Sequence, residues 1–173
     1  FAVLSDLADG LLQTHERVRE EAAAMLVGQA ALTGPPPYAL AVIRPAAERP
    51  ARAPDPSRAA GNLRRAAGNL RRRAAPGTLV LASPGAGELV AITTTGALAE
   101  VRRAVRTLPG PLLAVGTCGA TAALADVHAS LGNAQYAAHV AARVPQFGRA
   151  ADWGSLGVYA AFQHLYRDPS APE

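Results

Sequence analysis

Cys118 and His128 are the residue types in this chain that most readily suggest covalent chemistry, since a thiol beside an imidazole can act as a nucleophile. Nothing in the intervening sequence orients the pair, and a small buried thiol is the favoured reading. Cys118 is the single cysteine, which excludes a disulfide scaffold and a multi-cysteine zinc site. His15, His128, His139 and His164 have no metal-ligand spacing with one another or with carboxylates. Gly85-Ala-Gly87 lacks the following lysine and hydroxyl of a phosphate loop, and it closes a hairpin instead of opening a helix. No catalytic residue, metal ligand or cofactor is therefore assigned.

The arginines carry the strongest charge signal. All 17 basic residues are arginine, the formal net charge is +4, and seven arginines fall between Arg52 and Arg73. Such density can neutralise phosphates. The segment nevertheless lacks interleaved aromatics and any helix-turn-helix or finger signature. Arg64 and Arg65 also point about 100° apart on a helix, so a solvated helix face is favoured over a nucleic-acid contact. The absence of lysine, with abundant Ala, Gly and Pro, reads as the codon bias of a GC-rich bacterial genome.

At 173 residues and 50% apolar content, one domain with an additional helix is expected. No apolar run approaches the ~20 residues that span a bilayer, and no signal-peptide layout opens the chain. A cytoplasmic location without a membrane partner follows as the expectation. The chain begins at Phe1, which suggests a fragment of a longer protein.

A long helix is expected from Ala2 to Leu32. Leu4, Leu11, Val18, Met25 and Leu32 repeat at seven-residue spacing, as in a coiled-coil seam. The stripe has two readings: packing on its own domain, or homodimerisation through Leu4, Leu11, Val18 and Met25. Gly34-Pro-Pro-Pro ends the helix. Tyr38–Ile43 reads as a buried strand, and Arg44–Pro56 as a loop. A second helix starts with Asp55 as N-cap and Pro56 at its first position. It contains a tandem repeat, Arg58–Arg64 and Arg65–Arg71, each RAAGNLR. Ala59, Leu63, Ala66, Leu70 and Ala74 line one face, so the duplication adds two turns and keeps the buried stripe.

Thr78–Ala82 and Leu89–Thr93 read as a hairpin closed by SPGAGE. Ala97–Leu108 is the next helix, with Leu98, Val101, Val105 and Leu108 inward and Arg102, Arg103 and Arg106 outward. Leu112–Val115 reads as a short buried strand followed by a small-residue turn, GTCG. Ser130, Ala134 and Ala138 put small side chains on one face of the helix that follows. The phrase LGVYAAFQHL from Leu156 to Leu165 starts the last helix, with Leu156, Tyr159, Ala160 and Phe162 as anchors. Helices alternate with strands around one embedded hairpin, so an α/β (α+β) sandwich is expected. Its mixed sheet should hold about five strands, among them Leu40, Val42, Leu79, Leu81, Val90, Ile92, Leu113 and Val115.

The succession of buried strand, small-residue turn, Ser-x3-Ala-x3-Ala helix and closing Leu-Gly-x-Tyr element resembles the GGDEF-like central domain of PucR/CdaR-family bacterial transcriptional regulators. The resemblance spans roughly Val18 to Asp168. It implies a nucleotide-cyclase-type palm at 35–168, a linker or dimerisation helix at 1–34, and the start of a linker at 169–173. In that family a helix-turn-helix domain follows and contacts DNA, and effectors include sugar acids, purine catabolites and amino acids. The resemblance thus implies a regulatory and dimerisation domain, with effector sensing left open and DNA reached only through a further domain. A stand-alone small-molecule-binding or degenerate cyclase-like domain is the alternative. Active diguanylate cyclases carry carboxylates at the hairpin and on the first strand. Here the hairpin reads SPGAGEL with Glu88 its sole acid, and Tyr38–Ile43 has none. Cyclase activity is therefore not expected.

Overall fold

The apolar runs read as strands come together in one sheet. A computed structural model describes residues 6, 9–13, 15–28, 34–46, 56–83, 87–108 and 112–163, with the backbone alone for 56–60 and 83. In chain order its main elements are α1 (Glu16–Gly28), β1 (Tyr38–Pro45), α2 (Pro56–Arg73), β2 (Leu79–Ser83) and β3 (Glu88–Thr94). There follow α3 (Leu98–Arg106), β4 (Leu113–Thr121), α4 (Leu131–Arg143) and β5 (Ala150–Asp152). The sheet order is β2-β3-β1-β4-β5. β1 pairs antiparallel with β3 (Leu40 opposite Ile92) and with β4 (Leu40 opposite Cys118). β2 and β3 form the expected hairpin, and β5 lies parallel to β4. The run β1-α2-β2-β3-α3-β4 is a split-βαβ arrangement, and the mixed α/β sandwich is as the sequence implied.

Helices cover both faces, so β1 is buried from Tyr38 to Val42 and on through Ile43. On one face Leu63, Ala67 and Leu70 of α2 and Val101, Ala104 and Val105 of α3 pack on Ala41, Ile43, Leu89 and Ala91. On the other, Ala22 and Leu26 of α1 and Ala134 and Ala138 of α4 pack on Leu40, Val42, Val90 and Ile92. This double cover explains why the strands read as continuous apolar runs instead of alternating ones.

Gly116 decides how close α4 can come. A Cβ there would lie 2.0 Å from the Ala138 nitrogen and 2.2 Å from the Ala134 oxygen, so helix backbone rests directly on strand backbone. The small-residue face of α4 has its partner in this glycine.

Four expectations are corrected. The N-terminal helix is not continuous: a helical turn ending at Leu11 closes through Leu12 N–H to Asp9 O (3.1 Å) and Gln13 N–H to Gly10 O (3.3 Å), and α1 starts anew at Glu16. The break lets Gly10 abut Ala22 and lets Leu11 and Leu26 enter one core cluster. Across an unbroken helix they would stand more than 20 Å apart at ~1.5 Å per residue. Second, GTCG is strand and not turn. β4 continues to Thr121 because its backbone keeps pairing with β1 and, over Val115–Thr117, with β5. Third, Arg102 turns inward to Thr117 and Asp152. Fourth, Gly157–Phe162 is a 3-10 segment in which Leu156 is buried and Tyr159 and Ala160 are half-buried, whereas Phe162 is 50% exposed and anchors nothing. Leu4, Leu32, Asp55, Ala59's side chain, Gly85, His164 and 169–173 lie outside the described residues.

Candidate functional site

Glu88, the acid at the end of the β2–β3 hairpin, is the first side chain to examine. It is the first residue of β3, directly after Gly87, whose φ of +65° suits a tight turn. Ile43 pairs with Leu89, so Arg44 on β1 is the cross-strand neighbour of Glu88. Arg44 Nη1 reaches Glu88 Oε1 at 3.6 Å, and Gln135 Nε2 on α4 donates to Oε2 at 3.2 Å. Glu88 is 4% exposed, so both oxygens are committed to neighbours inside the fold.

Beside it lies a cleft of about 310 Å³ between the hairpin, the start of α4 and the segment before α1. Asp9, Gln13, Glu88 and Gln135 supply its polar groups over a floor of Leu81, Val90 and Leu131. Partial burial, and then the nearby Asp6, push the Asp9 carboxyl above its usual range. Amide donors and acceptors above an apolar floor suit a small polar molecule.

The other residues singled out by type are dispersed. Cys118 is buried within β4, and His128 follows in a 3-10 stretch (Leu124–Ser130) with its buried Nδ1 lacking a hydrogen-bond partner. Among the described residues no hydrogen bond joins that imidazole to the thiol. His15 is exposed. Among the described residues no group of three or more His, Cys, Asp or Glu could hold a metal ion. Among the same residues, no helix is long and apolar enough to cross a membrane.

The α2 arginines are largely occupied. Arg65 donates to Asn62 and Arg72 to Asn69, each at 2.6 Å, so both repeat copies make the same contact. Arg71 donates to Val80 O at 2.6 Å, and Arg73 to Thr107 O at 2.7 Å. The Arg71 and Arg73 bonds tie α2 to β2 and to the end of α3, a structural use beyond the solvated helix face expected from the sequence.

His139 on α4 has no metal-ligand spacing in the sequence, yet it sits in a basic setting. Its ring stacks on Tyr136 with centroids 6.2 Å apart, and Arg143 Nη1 donates to Nε2 at 2.7 Å. Burial first, then Arg143 and Arg44, lower its pKa to about 4, so it is neutral at pH 7. The i, i+4 spacing of His139 and Arg143 is visible in the sequence, but the approach of Arg44 from β1 is not.

Together the fold and these contacts define a split-βαβ α/β sandwich whose hairpin acid is neutralised from within. Comparison of the chain with protein-family models, curated proteins and solved structures returned no match.

Proposed function

We propose that this chain is a non-catalytic regulatory and dimerisation module of a cytoplasmic bacterial transcriptional regulator of PucR/CdaR type, acting on DNA through another domain. The observation that carries the non-catalytic reading is the Arg44–Glu88–Gln135 contact. A carboxylate held by a cation and an amide donor is a poor ligand for the magnesium ions that phosphoryl transfer requires. The dimerisation reading is supported by α1, where Val18 is 42% and Met25 51% exposed two turns apart. Leu11, which shares their seven-residue spacing, is buried in the core and belongs to the domain itself. Among the described residues the seam available to a second copy is thus Val18 and Met25.

The test has two arms. Incubated with GTP or ATP and magnesium or manganese, the protein forms no cyclic or dinucleotide product; metal-dependent turnover that Glu88→Ala abolishes would overturn the non-catalytic reading. In sedimentation velocity at tens of micromolar, the wild type is a dimer and Val18→Glu/Met25→Glu a monomer with unchanged circular dichroism. A monomeric wild type overturns the dimerisation reading.

A further inference from the structure

On the opposite face from the hairpin cleft, a cavity of about 360 Å³ lies between α3, the start of β4 and the Gly148–Ala150 turn. Three of its lining side chains are Arg102, Arg106 and Arg149, and its walls include Val105, Leu108 and Leu113. We propose that this cavity binds a small anion, a carboxylate or phosphate carried on an apolar body.

Arg102 is built into place. Its Nη2 donates to the Thr117 hydroxyl and lies 3.4 Å from Asp152 Oδ1. Asp152 is held in turn by Thr117 Oγ1 at 2.7 Å and by Gly154 N–H at 3.1 Å. Thr117 is fully buried, so the network is fixed from the core outward. It leaves Arg102 Nε buried with no hydrogen-bond partner, so the guanidinium is not fully satisfied from within the fold. Asp152 compensates one guanidinium. Among the described residues Arg106 and Arg149 have no carboxylate at ion-pair distance.

Cations gathered around a partly apolar cavity repel one another until an anion enters, and guanidinium forks match carboxylate and phosphate oxygens in pairs. Arg149 adds a second indication. Its φ is 68°, in the left-handed region that favours glycine, directly after Gly148 at 54°. An arginine in that uncommon conformation, with no carboxylate at ion-pair distance among the described residues, has its charge available to an anion from outside the chain. The volume is in the range of metabolite pockets, and the apolar walls ask for more than a bare ion.

The inference deepens the regulatory reading by giving an effector its site and charge, and the two fail separately. Loss of this site leaves the turnover and sedimentation results as they stand. Isothermal titration calorimetry at fixed ionic strength would use phenylacetate, phenyl phosphate, inorganic phosphate and neutral 2-phenylethanol. Either or both of the apolar anions bind, and the stronger one names the head group. Inorganic phosphate is at least tenfold weaker and the alcohol shows no heat of binding. Arg106→Ala/Arg149→Gly lowers the anion affinity at least tenfold while the melting temperature is kept, because glycine suits the left-handed position. Should that pair fail to fold, Arg106→Gln alone gives the same comparison. Equal binding of the alcohol, anion affinity unchanged in the variants, or no binding by about 10 mM overturns the proposal.

Discussion

Gly116 is the residue on which the packing of α4 turns. Backbone atoms of Ala134 and Ala138 occupy the space a methyl group would need, and backbone cannot step aside as a flexible side chain can. Gly116→Ala should therefore cost about 3 kcal/mol or more, read as a lower urea midpoint. Gly119→Ala, where nothing lies within 4 Å, serves as its control. His139 sets a different single-residue expectation. Its folded pKa of about 4 lies below the ordinary 6.5, so between those values the unfolded chain binds a proton that the folded chain refuses. Stability should fall as pH drops from 6.5 toward 4 and level off below. Arg143 and Arg44 are the charged groups facing the ring, with Tyr136 stacked on it. His139→Gln, compared with wild type in urea melts at pH 7 and 4.5, should remove that part of the acid slope. An identical slope in the variant would show that the ring does not carry it.

At the scale of elements, α2 tests whether the tandem repeat is a register-preserving insertion. Leu63 and Leu70 are equivalent positions of the two copies and both are buried. Seven residues turn a helix through ~700°, a net drift of only ~20°. Deleting Arg65–Arg71 should leave a folded protein, weakened by roughly the 1.5–3 kcal/mol of one buried leucine. Deleting five residues instead turns the apolar stripe by about 140° and should abolish cooperative unfolding. Circular dichroism melts of the two deletions decide the matter, and equal behaviour of both would sink the idea. The N-terminal segment illustrates the converse. Its heptad spacing suggested one long helix, but a seven-residue period does not say whether a helix is broken. The bend came from Gly10 packing on Ala22 and from both Leu11 and Leu26 entering the same core.

For the whole molecule, the division of the stripe into buried and exposed parts separates folding from assembly. Leu11→Glu would place a charge among Leu26, Leu40 and Val42, and should unfold the domain instead of dissociating it. Val18→Glu/Met25→Glu should do the reverse. Light scattering and thermal melts on the two variants distinguish these outcomes. A folded, monomeric Leu11→Glu would show that the seam includes the N-terminal turn after all.

Local chemistry was enough to determine the hairpin, the first strand, the middle helices and the class of the fold, but not the break before α1, the length of β4 or the 3-10 form of Gly157–Phe162. Long apolar runs can only be strands covered on both sides, Gly-Pro punctuation ends helices, and the alternation of helix with strand around one hairpin leads to a mixed sandwich. The burial of Cys118 was also legible, because a small thiol packs as a small hydrophobe. What the tertiary structure alone decided depends on residues far apart in the chain. Arg44 meets Glu88 through strand register, and Arg102 meets Asp152 because β5 lies beside β4. Periodicity puts Arg102 on the polar side of its helix, because it marks the apolar side but not which polar residues beside it find a partner across the sheet. Cavities and ion pairs of this kind arise from the pairing order of the strands, which no local pattern encodes.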